Sequence, residues 1–253
     1  MSSAMSSMLV AANWKCNGSF ADLEAYASAI QPAAGVEAIV FPPAVYVAWL
    51  RRRLPDSVAV GVQDVSLYAG GAHTGEISVS IAADVGASWV LVGHSERRED
   101  QQEDDAIVAA KLRAVVDAGL RPILCVGESE ASRQSGSADV FVAAQVTSAI
   151  EAVGADQLAT GAIAYEPIWA IGSGVSASPS QAAQMHAVIR STATTAGGLN
   201  GSELQVIYGG SVKQDNAASL FAEIEIGGAL VGGASMQAES FNAIVDAAAE
   251  ARR

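Results

Sequence analysis

The chain has 253 residues, 27 acidic against 14 basic, a formal net charge of −13, and 51% apolar residues. That length suits one barrel of alternating strands and helices, and the apolar fraction supplies a large core. The acidity argues against nucleic acid or an anionic membrane as partner, because both require clustered Lys and Arg.

In chain order, Met1 to Met8 has neither a basic segment nor an apolar stretch. Residues 1–7 are therefore expected to form a flexible extension, neither signal peptide nor anchor, ahead of a catalytic barrel over 8–253. No run reaches the ~18 to 20 apolar residues of a membrane span, and a cytoplasmic protein is expected.

Short continuous apolar runs follow at Leu9–Trp14, Ala38–Pro42, Val58–Gln63, Trp89–Gly93, Pro122–Gly127, Ala162–Tyr165, Leu204–Tyr208 and Ala229–Val231. Continuous rather than alternating runs mark strands covered on both faces. Segments with helical spacing lie between them, at Ala21–Ile30, Asp104–Ala118, Ala138–Val153 and Ser180–Thr195. Pro179-Ser180 reads as a helix start and Gly119 as a stop. Strand and helix repeated eight times predict parallel strands joined by right-handed crossovers, a single-domain α/β fold of (β/α)8 type. An open doubly wound sheet is the competitor, but no Gly-x-Gly-x-x-Gly follows the first strand.

A barrel gathers its chemistry at the C-terminal strand ends. Strand 1 ends in Asn13-Trp14-Lys15, strand 4 runs into Gly93-His94-Ser95-Glu96, and strand 6 ends in Tyr165-Glu166-Pro167. Strands 6, 7 and 8 lead into Gly172-Ser173-Gly174, Gly209-Gly210-Ser211 and Gly232-Gly233-Ala234. Each signal alone is weak; their joint occurrence at one mouth predicts an active site. His73 and His186 lack such company and read as structural or surface residues. Arg51-Arg52-Arg53 and Arg97-Arg98 read as ion-paired, solvated runs. Cys16 and Cys125 have no metal or redox spacing and read as buried free thiols, so neither metal nor cofactor is expected.

The segments Ala11-Ala12-Asn13-Trp14-Lys15-Cys16-Asn17-Gly18, Gly93-His94-Ser95-Glu96-Arg97-Arg98, Cys125-Val126-Gly127-Glu128, Tyr165-Glu166-Pro167-Ile168-Trp169-Ala170-Ile171-Gly172, Tyr208-Gly209-Gly210-Ser211-Val212 and Gly232-Gly233-Ala234-Ser235 resemble those of triose-phosphate isomerases. They fall in family order and spacing over nearly the whole chain. The resemblance implies a TIM barrel that interconverts glyceraldehyde 3-phosphate and dihydroxyacetone phosphate through an enediolate, in glycolysis and gluconeogenesis. It implies Glu166 as the base, with His94, Lys15 and Asn13 facing the enediolate oxygens and Ser95 and Glu96 supporting them. Backbone N–H groups of Gly172, Ser211, Gly232 and Gly233 would hold the phosphate, under a lid from Pro167 to Ala177. It also implies a homodimer in which the loop Gln63–Glu76 carries Thr74 to the partner, near Asn13 and Lys15.

The chain departs from the family pattern at the lid's far hinge, where Val175-Ser176-Ala177 replaces Lys-x-Ala. After Arg98, only Glu103 of the usual aromatic-Gly-Glu is kept. Asp64 stands where Asn commonly follows Gln63, adding a negative charge near the mouth, and His73 replaces an aromatic. A Schiff-base aldolase, which needs a strand-6 lysine, and a barrel kept only for binding are the rival readings.

Overall fold

The computed structural model describes residues 7–170 and 176–252. Eight parallel strands close a barrel in sequence order: β1 Met8–Asn13, β2 Val36–Phe41, β3 Val58–Val62, β4 Trp89–Val92, β5 Arg121–Val126, β6 Ala162–Tyr165, β7 Val206–Tyr208 and β8 Gly228–Val231. β1 pairs with β8 through Leu9–Gly228 to Ala12–Val231, which removes both sheet edges. The doubly wound alternative is thereby excluded. Most expected strands stop one residue early, leaving Trp14, Pro42, Gln63, Gly93 and Gly127 just past the ladder, and β7 starts two residues later than expected.

Between the strands lie helices α1 Phe20–Ala29, α2 Val47–Arg51, α3 Val79–Asp84, α4 Ser95–Asp100, α5 Asp105–Asp117, α6 Glu130–Gln134, α7 Ala138–Val153, α8 Ala155–Leu158, α9 Pro179–Gly197, α10 Ala217–Phe221 and α11 Ala238–Glu250. The four helices expected from spacing are present within two residues. α9 begins with a capping box between Ser178 and Gln181 and carries Pro179 in its first turn. Asp104 caps α5, and Gly119 follows it with φ 72°, a left-handed conformation that favours glycine. Helices α2, α3, α4, α6, α8 and α10 are only four to six residues long, too short to show a period in sequence.

The side chains divide by the two-residue period of a strand. Inside the barrel pack Leu9, Ala11, Ile39, Phe41, Trp89, Leu91, Ile123, Cys125, Ala162, Ala164, Ile207 and Leu230. Their neighbours, such as Val10, Ala12, Val40, Val90 and Ile163, face the helices. Large and small interior residues interlock: a Cβ on Gly61 would lie 2.2 Å from the Phe41 ring. The same alternation reaches the mouth. Continuing Leu9, Ala11 leads to Asn13, and continuing Ala162, Ala164 leads to Glu166, so both polar groups sit on the inward register of their strands.

Candidate active site

Glu166 sits one residue beyond β6 on a backbone held from both sides. Its N–H donates to the Val126 carbonyl at 2.7 Å, and the Gly209 N–H donates to the Tyr165 carbonyl at 2.7 Å. The neighbouring strands must therefore be slim here. A Cβ on Gly127 would stand 1.8 Å from the Glu166 carbonyl oxygen, and one on Gly209 would stand 2.9 Å from Glu166 Cγ. The carboxylate itself is buried, with Oε1 2.9 Å from His94 Nε2 and Oε2 accepting the Ser95 N–H at 2.9 Å.

His94 caps α4, and its Nδ1 accepts the Glu96 N–H at 3.2 Å. Burial lowers the imidazole's pKa, while the Glu166 and Glu96 carboxylates raise it more, for a net rise. The hydrogen-bond pattern opposes that rise. An N–H aimed at Nδ1 needs a lone pair there, so the geometry favours the neutral ring with its proton on Nε2, pointing at Glu166.

Lys15 holds a left-handed backbone (φ 51°), costing of order 1 to 3 kcal/mol for a residue with a side chain. The strain is overcome locally: Lys15 N–H donates to Asn13 Oδ1 at 3.0 Å, and Gln63 Nε2 donates to the Lys15 carbonyl at 2.9 Å. Its ammonium meets Glu96 Oε1 at 2.5 Å. Asn13, Lys15, His94, Glu166, Ser211, Gly232 and Gly233 all line one open cavity of about 1190 Å³. Of the expected site residues, Ser95 and Glu96 adjoin this cavity through Glu166 and Lys15, Thr74 lies on an exposed loop away from it, and Gly172 falls outside the described residues. So do residues 171–175 of the expected lid, Val175 included.

Two side chains that carried no role in sequence, Glu128 and Lys111, reinforce the site. Glu128, fully buried behind β6, accepts from Tyr165 Oη at 3.0 Å, Trp169 Nε1 at 2.8 Å and Arg133 at 3.0 Å. It thereby fixes the chain on either side of Glu166. A charged residue two positions past the end of β5 was the signal that could have found it. Lys111, buried on α5, meets Asp64 at 2.7 Å and Glu103 at 2.6 Å, and Arg97 closes the ring with contacts of 3.0 and 2.7 Å to the same two acids. The charge that Asp64 brings to the mouth is therefore compensated by Lys111 and Arg97.

Two sequence expectations change. Cys16 is exposed rather than buried, because it follows the turn at Lys15 rather than continuing β1. Cys125 is buried as expected, and burial, then the charge of Glu166, pushes its thiol pKa well up, leaving it unreactive. His186 is structural: fully buried, it places Nδ1 3.0 Å from the Glu225 carbonyl, and burial lowers its pKa to about 3. His73 stacks on Tyr68 with ring centroids 3.5 Å apart. Arg51 pairs with Asp56 as a surface run should, whereas Arg98, its side chain only 16% exposed, pairs with Asp105 and donates to the Gly93 carbonyl at 2.8 Å, ion-paired but not on a solvated face.

Among the described residues no group of three or more His, Cys, Asp or Glu could hold a metal, and no helix is long and apolar enough to cross a membrane. A family model described as Triosephosphate isomerase matches residues 8–248. The chain is 49% identical over 248 residues to the "Triosephosphate isomerase" of Acidiphilium cryptum (strain JF-5), covering 95% of this chain and 98% of that one. It is 48% identical over 248 residues to that of Thiobacillus denitrificans (strain ATCC 25259 / T1), covering 97% and 100%. It is 46% identical over 243 residues to that of Xylella fastidiosa (strain M23), covering 94% and 98%.

Proposed function

The chain belongs to the triosephosphate isomerase family, whose reaction interconverts glyceraldehyde 3-phosphate and dihydroxyacetone phosphate, and on that premise we propose that Glu166 is its catalytic base. The observation that carries this reading is a buried carboxylate 2.9 Å from an imidazole, facing the same cavity as a lysine.

A hydrogen on carbon beside a carbonyl is a weak acid. Removing it takes a base in contact and stabilisation of the charge that appears on oxygen. Glu166 takes the proton from one carbon and returns it to its neighbour. Its two oxygens are occupied by His94 Nε2 and the Ser95 N–H before substrate arrives, so binding must release at least one of them. Released, His94 Nε2–H donates to the enediolate oxygens, joined by the Lys15 ammonium and the Asn13 amide. Each such donor contributes about 10² to 10³ in rate. Glu96 keeps Lys15 in place while the Glu96 N–H holds the imidazole tautomer. On the far wall, N–H groups of Ser211, Gly232 and Gly233, with Gly172 by resemblance, hold the phosphate dianion. Exclusion of water protects an enediolate that would otherwise expel its phosphate.

The enzyme acts in the cytoplasm as an isologous homodimer in this reading. Thr74 is exposed on a loop closed by the bond from Ser66 N–H to the Ile77 carbonyl at 2.8 Å, and Leu67 and Tyr68 are exposed large apolar residues of the same loop. A cavity of about 210 Å³ beside Asn13, Lys15, Gln63 and Arg97 is where the partner's loop would enter. Light scattering at micromolar concentration should give a dimer's mass; a monomer's mass would overturn the arrangement.

A coupled assay on glyceraldehyde 3-phosphate tests the base. Wild-type protein should turn over and Glu166→Ala should lose at least about 10³ in kcat, within the range of a positioned general base. An inactive wild type would support the binding-only barrel instead.

A further inference from the structure

The substrate is a dianion, and the protein repels it: the net charge is −13. Among the described residues, the acids and cations lining the main cavity are Lys15, Glu166, Lys213 and Asp215. Lys15 is neutralised by Glu96 at 2.5 Å. Lys213 has no ion pair among the described residues, and residues 171–175 carry no charge in sequence.

Lys213 is also held in place. The Asn216 side chain accepts the Lys213 N–H through Oδ1 at 2.8 Å and donates through Nδ2 to the Ser211 carbonyl at 3.0 Å. The Lys213 carbonyl in turn accepts from the Asn216 and Ala217 N–H groups at 3.2 and 3.0 Å. One amide thus fixes the backbone of Lys213 to that of Ser211, two residues away on the phosphate wall. Lys213 as a whole is exposed and lines the cavity.

We infer that Lys213 is a capture residue for the substrate's phosphate, drawing the dianion to the β7–β8 wall before the backbone donors engage it. This rests on the isomerase reading above and adds an encounter step to it. Asp215, on the same turn, acts in the opposite sense. Neither residue touches the reacting carbons, so the effect falls on kcat/KM and not on kcat. A unit charge about 7 Å from a dianion accounts for roughly a fivefold change in capture at low salt, where the Debye length is about 30 Å. In 1 M salt, where it is about 3 Å, less than twofold remains.

The test is steady-state kinetics of Lys213→Gln, Lys213→Glu and Asp215→Asn at about 10 mM and 1 M ionic strength. Phosphorylated glyceraldehyde and neutral glyceraldehyde are the two substrates. In low salt Lys213→Gln should lose about fivefold in kcat/KM with kcat within twofold, Lys213→Glu should lose more, and Asp215→Asn should gain. High salt should bring all three close to wild type, and none should change turnover of the neutral triose. The inference is overturned if Lys213→Gln matches wild type at low salt, if its loss persists unchanged in 1 M salt, or if glyceraldehyde turnover falls equally. Wild-type protein without isomerase activity would overturn this inference together with the reading beneath it.

Discussion

The two walls of the barrel mouth are built from different materials. On the side of β1, β4 and β6 the polar groups are mostly side chains, interlocked with one another and with two backbone donors: Glu166 with His94 and the Ser95 N–H, His94 with the Glu96 N–H, Glu96 with Lys15. On the side of β7 and β8 the wall is largely main chain, at Gly209, Gly210, Gly232 and Gly233. A Cβ on Gly233 would meet nothing within 4 Å, whereas one on Gly209 would meet Glu166 Cγ at 2.9 Å. The contrast suits the work proposed for each. Moving a proton takes groups that can gain and lose one, and holding a dianion through many turnovers takes donors that never titrate. Peptide N–H groups also bring no rotamer freedom to lose. That suits a lysine-poor chain.

The glycines offer a way to separate the walls. Gly209→Ala should push Glu166 off its position and lower kcat about a hundredfold, the scale of a 1 Å misplacement, with far-UV circular dichroism unchanged. Gly233→Ala fills only open space at the phosphate wall, so it should raise KM about tenfold, the scale of one charge-assisted hydrogen bond, and leave kcat nearly intact. Steady-state kinetics on both variants would blur the distinction between walls if Gly233→Ala lowered kcat as much as Gly209→Ala does.

Much of this architecture was legible in the sequence, for identifiable reasons. Strands such as Trp89–Val92 are buried on both faces and so spell continuous apolar runs, and α7 is long enough to show its period. Asn13, His94 and Glu166 could be found because a polar group ending a buried apolar run is costly there unless it meets a partner or a cavity. What escaped was long-range pairing. Lys111 reads as an ordinary helix cation until the fold brings Asp64 and Glu103 to it, 47 and 8 residues away in sequence. Glu128 reads as another loop acid until Tyr165, Trp169 and Arg133 converge on it. Cys16 was misplaced because a free thiol beside a strand is usually buried, whereas the left-handed turn at Lys15 has already ended β1.

The central claim is that one carboxylate carries the proton between carbons, and solvent deuterium reports it most directly. In D2O, product formed from glyceraldehyde 3-phosphate by the wild-type protein should carry deuterium at the carbon that receives the proton, read by nuclear magnetic resonance. The Glu166→Ala protein, folded and bearing an intact His94 and Lys15, should incorporate it at least about 10³ more slowly than wild type. Incorporation by Glu166→Ala at the wild-type rate would mean that some other group is the base.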